Sequence, residues 1–210
     1  MNHSNHTPGD EMVSVEACGS TARDCPNVLM STSDLKKAVE DLVREKNFSS
    51  RLRARLQGNR SLAHHRLRIS VSGCPNGCSR PQIADIGLVS FVTPTVDPEC
   101  CTRCGACEAA CPDAAITVND APPEFDRVAC QGCVRCKTAC PVACITLSPP
   151  GVRVLLGGKL GRHPRFAEEF ARETDISVVT TLLGNLIDRY IAEANPEERF
   201  SDFLRRTAKE

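Results

Sequence analysis

The stretch ISVSGCPNGCSRPQIADIGLV, residues 69–89, sets two cysteines four positions apart between two strand-like runs. Apolar and polar residues alternate in RLRISVS at 66–72, which is typical of a half-buried strand. The run IGLVSFV at 86–92 predicts a second strand. Cys74 and Cys78 therefore lie in a loop that Pro and Gly allow to turn tightly. Their spacing is wider than the usual C-x-x-C of zinc and redox sites.

The chain contains 14 cysteines in 210 residues. The N-terminus lacks the charged segment and apolar run of a secretory signal peptide, so we expect reduced, cytoplasmic thiols that ligate metal. The longest apolar-rich stretch, ISVVTTLLGNLI, is too short and too polar to cross a membrane. Lys and Arg (26) balance Asp and Glu (26), and there is one Tyr and no Trp. We therefore expect neither nucleic acid nor a membrane as a partner.

An internal repeat occupies the middle of the chain, with CTRCGACEAACP at 101–112 and CQGCVRCKTACP at 130–141. In this spacing three thiolates wrap one face of a cuboidal cluster, and the fourth cysteine crosses over to the other cluster. The first cluster would take Cys101, Cys104, Cys107 and Cys140, and the second Cys130, Cys133, Cys136 and Cys111. The region resembles a bacterial-type ferredoxin with two 4Fe–4S clusters. A pair of zinc ribbons is the alternative, which two complete copies of a four-cysteine pattern disfavour.

Cys100 and Cys144 fall outside the repeated pattern. We predict that both are buried packing thiols, because a spare cysteine more often behaves as a small apolar residue than as a ligand.

Four cysteines remain, the number that one more cluster needs: Cys18, Cys25, Cys74 and Cys78. The segment at 69–89 resembles the cluster-and-haem loop of the siroheme nitrite and sulfite reductases, of the anaerobic or dissimilatory-like type. The resemblance implies that these four thiols hold a third 4Fe–4S cluster and that Cys78 also ligates the siroheme iron. It adds Asn76 and Arg80 of the same loop as candidate cofactor contacts.

A second match lies at VRVLLGGKLGRHPRFAEEFA, residues 152–171, which resembles the segment after the cluster loop in the smaller sulfite reductases. The resemblance implies that Lys159 and Arg162 bind siroheme carboxylates, with His163 and Arg165 nearby. The alternative for this segment is a solvated loop before a helix.

The resemblance covers about residues 18–207 and implies an α+β fold, a siroheme/4Fe–4S reductase half-domain with an inserted ferredoxin module. The expected division is a flexible N-terminal arm at 1–17, the reductase-like domain at 18–96 and 149–210, and the ferredoxin domain at 97–148. We expect a small mixed or antiparallel sheet with strands near 67–72, 86–92 and 152–156.

Helices are predicted at several places along the chain. Ser33 is the expected N-cap of SDLKKAVEDLVREK, and RLRARLQ at 51–57 is a weaker candidate. Further helices are predicted at 165–173, 176–194 and 197–207. The apolar stripe of the 176–194 helix is expected to pack in the core.

The sequence departs from the family pattern in two respects. The first cysteine pair is Cys18-x₆-Cys25, whereas the family has C-x₅-C. Family members also carry an α/β half-domain before this pair, whereas seventeen residues precede Cys18 here. Three interpretations follow: a second subunit supplies the half-domain, the half-domain has been lost, or the chain is not itself a reductase.

The leading hypothesis is a sulfite or nitrite reductase subunit that receives electrons from a donor protein through the two ferredoxin clusters. The electrons then pass to the siroheme-coupled cluster, which reduces a bound oxyanion. The alternative is a non-catalytic iron–sulfur subunit without siroheme. A weaker third hypothesis is a redox-sensing regulatory or assembly protein.

Overall fold

A computed structural model describes residues 11–20, 24–56 and 65–208. Its strands are β1 (Val13–Ala17), β2 (Leu67–Ser72), β3 (Ile86–Phe91), β4 (Pro94–Val96), β5 (Ile116–Thr117), β6 (Glu124–Phe125), β7 (Ile145–Leu147), β8 (Gly151–Leu156) and β9 (Glu168–Glu173). Its helices are α1 (Thr32–Glu45), α2 (Phe48–Ala54), α3 (Ala106–Ala109), α4 (Arg135–Ala139), α5 (Ile176–Glu193) and α6 (Phe200–Thr207).

The largest element is a five-stranded mixed sheet in the order β1-β2-β3-β8-β9. The first three strands run parallel, and β8 and β9 extend the sheet in antiparallel fashion. The predicted strands at 67–72, 86–92 and 152–156 are confirmed as β2, β3 and β8. The expectation of a mixed α and β fold is confirmed as well.

The helices cover one face of this sheet. Alternate residues of β2, such as Ile69 and Val71, point into a core shared with Leu35 of α1 and Leu183 and Ile187 of α5. The predicted apolar stripe of α5 thus lies in the core. Ser70 and Ser72 point to the opposite face, because successive side chains of a strand alternate. That opposite face carries the loop of Cys74 and Cys78.

A second, smaller unit lies between β3 and β8. Two two-stranded sheets, β4-β7 and β5-β6, enclose a separate core with α3 and α4. The chain leaves the large sheet after β3 and returns as β8, the antiparallel neighbour of β3. The strands on either side of this unit are therefore adjacent in the sheet, and β4, at 94–96, pairs within the unit through β7.

The prediction of a helix at 165–173 is wrong, because residues 168–173 form strand β9. Phe166 and Phe170 are four residues apart, as on a helix face, yet they are 75% and 56% exposed. The free edge of β8 takes up this segment as an antiparallel strand, with a bulge between Val154 and Leu155. Hydrogen bonding to the sheet thus overrides the local helical preference.

Two other expectations are corrected at the start of the chain. Residues 13–17, assigned to a flexible arm, form β1, because Val13 packs into the core and the strand pairs with β2. The N-cap of α1 is Ser31, not Ser33, since the Ser31 side chain accepts a hydrogen bond from Asp34 N. None of the described helices is long and apolar enough to span a membrane.

Candidate metal centre

The first cysteine cavity lies at the start of the repeat unit. Besides Cys144, which belongs to neither run, four cysteines line it, three from the first run and one from the second. They are Cys101, Cys104, Cys107 and Cys140. This grouping matches the crossover of the sequence pattern, since the last cysteine of the second run lines the same cavity as the first three cysteines of the first run.

The second cysteine cavity reverses this arrangement. Its cysteines are Cys130, Cys133 and Cys136 of the second run and Cys111 of the first. Each four-thiol donor set thus draws on both runs. Such a set fits a 4Fe–4S cluster. Within the described residues, no three Cys, His, Asp or Glu side chains converge on a single metal-ion position.

The backbone repeats along with the cysteines. Gly105 and Val134 are the N-caps of α3 and α4, and both have positive φ, 75° and 67°. A left-handed conformation is uncommon for a β-branched residue such as Val134. Ala114 and Ala143, which follow the last cysteine of each run, also have positive φ. The two runs therefore fold as near-copies and present their thiols in the same way.

The third group of cysteines forms where β1 and β2 end. Cys18 N donates a hydrogen bond to Val71 O at 2.9 Å, and Gly73 N donates one to Cys18 Sγ at 3.4 Å. A Cβ on Gly73 would lie 2.9 Å from Thr32 Cγ2 and 3.0 Å from Ser20 Oγ. The absence of a side chain at Gly73 therefore lets the Cys18 segment pack against the Cys74 loop.

Electrostatics indicate that these thiols are close together. Burial raises the pKa of Cys74, and the neighbouring thiols of Cys78, Cys18 and Cys25 raise it further, against a backbone hydrogen bond from Asn76. For Cys18, burial also raises the pKa, but hydrogen bonds from Gly73 and Ser20 outweigh it, and the pKa is lowered overall. A cation or a cluster would offset the charge repulsion that thiolates at Cys74 and its neighbours would experience.

Three serines hold the Cys78 loop against the sheet. Ser79 Oγ donates to Val71 O at 2.8 Å and shares a hydrogen bond with Ser72 Oγ at 2.7 Å. Ser70 Oγ donates to Ser79 O at 2.7 Å. Cys74 is buried, whereas Cys78 is exposed. The loop is thus anchored from beneath and presents the Cys78 thiol outward.

The candidate cofactor contacts lie in two segments, the Cys78 loop and the turn that follows β8. Asn76 and Arg80 are exposed in the same loop as Cys78. Lys159 is engaged within the chain, since its Nζ lies 3.0 Å from Asp202 Oδ1 and its side chain is only 18% exposed. Arg162 is exposed in the turn that follows.

That turn and the Cys78 loop are packed together. A Cβ on Gly158 would lie 2.4 Å from Ala84 O. Ala167 N donates a hydrogen bond to Gln82 O at 2.7 Å. The segment at 157–167 therefore backs the residues that follow Cys78.

The two cysteines outside the pattern differ from each other. The prediction of a buried thiol is confirmed for Cys144, which is 4% exposed. It is wrong for Cys100, which is exposed because it lies at the surface end of the β4 connection, with its Sγ 3.7 Å from Asp97 O. Cys144 Sγ lies 3.3 Å from Cys140 Sγ, a contact not predicted from the sequence.

Comparisons with known proteins identify the family of the chain. The sequence profile of the "Nitrite and sulphite reductase 4Fe-4S domain" family matches residues 9–210. The chain is 42% identical over 139 residues to a coenzyme F420-dependent sulfite reductase of Methanocaldococcus jannaschii, covering 66% of this chain and 20% of that protein. It is 33% identical over 52 residues to one of the subunits of the anaerobic sulfite reductase of Salmonella typhimurium, covering 25% and 15%.

The fold also resembles a solved structure. The match to the crystal structure of dissimilatory sulfite reductase I has a TM-score of 0.61 at 16% identity, over 94% of this chain and 50% of that chain. The chain spans about a fifth or less of the length of the curated relatives that it matches. With a family profile that covers nearly its whole length, the chain belongs to the nitrite and sulphite reductase 4Fe-4S domain family.

Proposed function

We propose that the chain is a sulfite or nitrite reductase subunit, or a small sulfite reductase-like protein, with three 4Fe–4S clusters and a siroheme. When bound, these groups supply the storage of electrons and their delivery, several at a time, to an oxyanion. The two ferredoxin-type sites would receive electrons from a donor protein. The site of Cys18, Cys25, Cys74 and Cys78 would be coupled to siroheme through Cys78.

The observation that carries this proposal is the crossover of thiols between the two cavities. Cys140 lines the cavity of the first run, and Cys111 lines the cavity of the second. Two independent zinc ribbons would each use their own four cysteines. The exchange of the fourth cysteine is instead the arrangement of a two-cluster ferredoxin. It supports an inserted ferredoxin module at about 97–148.

The chain's own residues would orient the third site. The hydrogen bonds of Ser79 fix the Cys78 loop on the sheet, and the exposure of Cys78 leaves its thiol accessible to a large cofactor. Asn76 and Arg80 flank that thiol, and the Arg80 guanidinium suits a carboxylate of the macrocycle. Arg162 is the second candidate for such a pair.

The relatives point to the substrate class and to a partner. Two of them are named as sulfite reductases, which favours sulfite over nitrite. In each case the match covers only a small share of the relative's length, 20% and 15%. A second subunit or domain would then supply the remaining cations around the anion, because one exposed Arg on each of two loops makes an incomplete anion site.

A specific observation favours the alternative, a non-catalytic electron-transfer subunit without siroheme. Lys159, a candidate for pairing with siroheme carboxylates, already pairs with Asp202, and Arg165 donates to Ser201 O at 2.8 Å. Burial raises the pKa of Asp202, but the hydrogen bond from Lys159 and the charge of Arg165 outweigh it and lower the pKa overall. Asp202 therefore stays ionised and keeps Lys159 engaged.

Extraction of tetrapyrrole distinguishes the two functions. The full chain would be purified anaerobically, reconstituted with iron, sulfide and siroheme, and extracted with acidic acetone. The reductase proposal predicts about one siroheme per chain in the wild type and none in Cys78→Ala, which would also lose about four iron atoms. The exposed Cys100→Ser is the matched control and should retain both. Iron–sulfur absorption without extractable siroheme in the wild type would support the electron-transfer alternative.

A further inference from the structure

Cys144 belongs to neither cysteine run, yet it touches a cysteine that belongs to one. Its Sγ lies 3.3 Å from Cys140 Sγ, and its side chain is buried in the small core of the repeat unit. It also lines the cavity of the first four cysteines. Cys144 is thus a fifth thiol at this cavity.

The repeat provides an internal comparison, because the position four residues after the last cysteine is Ala115 in the first run and Cys144 in the second. Ala115 N donates a hydrogen bond to Cys111 Sγ at 3.3 Å. A backbone interaction from Cys144 likewise lowers the pKa of the Cys140 thiol. The two sites therefore share the backbone donor, and only the second-run cysteine has a thiol beside it.

We propose that the Cys144 thiol donates a hydrogen bond to Cys140 and thereby raises the reduction potential of the first cluster above that of the second. The inference rests on the proposed ligand sets of the two clusters. Reduction adds negative charge that is shared by the ligand sulfurs. A hydrogen bond to such a sulfur stabilises the reduced form, which raises the potential.

The consequence is a direction for electron flow between two otherwise similar sites. A cluster held by Cys130, Cys133, Cys136 and Cys111 would have the lower potential, which would favour electron transfer from it toward a cluster held beside Cys144. The backbones of the two runs repeat each other at Ala114 and Ala143, so the side chain four residues after the last cysteine is a specific difference between the two sites. Cys144 acts through Cys140 and is a positioning residue, not a ligand.

The test is an anaerobic redox titration of the reconstituted full chain, followed by electron paramagnetic resonance. Cys144→Ala should lower the potential of one ferredoxin-type cluster, so that its ratio of reduced to oxidised form falls about tenfold at a fixed potential, or about 59 mV. The other cluster should not change. The reciprocal variant Ala115→Cys should raise the potential of the other cluster, which keeps the inference testable if Cys144→Ala folds poorly.

Iron and sulfide counts on the same samples separate the two ways of failing. If the wild type holds both ferredoxin-type clusters and neither variant moves a potential, the role of Cys144 is overturned while the proposed function stands. If the wild type lacks the two clusters, the ligand sets are wrong, and both conclusions fall. A change confined to overall stability, with unchanged potentials, would make Cys144 a packing residue.

Discussion

Gly73 N donates a hydrogen bond to Cys18 Sγ across 3.4 Å, although the two residues are 55 positions apart in the chain. The parallel pairing of β1 with β2 brings them together, and Cys18 N extends that ladder to Val71 O. Cys18 therefore lies beside the loop of Cys74 whatever the length of the segment between Cys18 and Cys25. Residues 21–23, within that segment, lie outside the described residues. The departure from the family spacing is compatible with a ligand at Cys18.

Removal of Cys18 or Cys25 should affect one cluster only. Cys18→Ser and Cys25→Ser should each cost about four of about twelve iron atoms per chain, because the eight cysteines of the repeat are untouched. Iron and sulfide analysis and the resonance signals of the remaining clusters measure this. Cys100→Ser is the control and should keep all its iron. Loss of iron from all sites together in Cys18→Ser would contradict three separate donor sets.

The start of α1 can be tested with two neighbouring serines. Ser31 caps the helix through its side chain, whereas Ser33 is exposed within the first turn. Ser31→Ala should lower the free energy of unfolding by about 1 kcal/mol. Ser33→Ala should leave it nearly unchanged or slightly raised, because Ala favours helices. Denaturant unfolding of the reconstituted chain measures both, and equal effects would argue against the cap at Ser31.

Two glycines should respond in opposite directions to the same substitution. In Gly158→Ala the new Cβ would lie 2.4 Å from Ala84 O, so the turn must move away from the residues behind the Cys78 loop. We expect a loss of about 1–3 kcal/mol of stability and weaker siroheme retention. In Gly184→Ala the nearest atom, Leu42 Cδ1, is 3.5 Å away, and α5 should gain about 1 kcal/mol. Thermal unfolding measures the stability of both variants, and tetrapyrrole extraction measures the siroheme retention of Gly158→Ala. A more stable Gly158→Ala would contradict the close approach of Gly158 to Ala84 O.

Asp85 should make stability depend on pH. Burial raises its pKa to about 6 from the ordinary 3.8, although Arg68 N donates a hydrogen bond to Asp85 Oδ2 and the charge of Arg199 lowers the pKa. The folded state therefore binds more protons in this window, so the contribution of Asp85 to stability is lost as pH rises through about 6. The free energy of unfolding of Asp85→Asn relative to wild type should increase between about pH 4 and pH 7.

The matched control for this series is Asp120→Asn, whose side chain is exposed. The difference in free energy of unfolding between Asp120→Asn and wild type should stay constant across the same pH range. Comparing each variant with wild type at every pH removes the acid lability that all the clusters share. A flat difference for Asp85→Asn would show that the buried carboxyl does not titrate in this window.

The parts of the site that the sequence predicts well are those that depend on spacing. The crossover of Cys111 and Cys140 could be predicted because a C-x₂-C-x₂-C run wraps one side of a cluster and leaves the fourth corner open. The central strands were predictable as well, since β2 alternates apolar and polar residues and β3 is a continuous buried run.

The parts that could not be predicted depend on the rest of the fold. Residues 168–173 favour a helix locally and form β9 only because β8 has a free edge. The ion pair of Lys159 with Asp202 joins a turn to α6 across 43 positions. The repeat did contain a signal for the contact of Cys144 with Cys140, because the position equivalent to Ala115 in the second run is a cysteine. Only the distance between the two sulfurs shows that this cysteine touches Cys140.

Counts of iron, acid-labile sulfide and zinc in the anaerobically reconstituted full chain test the three-cluster assignment most directly. The donor sets described above predict about twelve cluster iron atoms and about twelve sulfide atoms per chain, about one further iron atom when siroheme is bound, and no stoichiometric zinc. About two zinc ions per chain without sulfide would instead identify the repeat as a pair of zinc ribbons and would contradict the assignment.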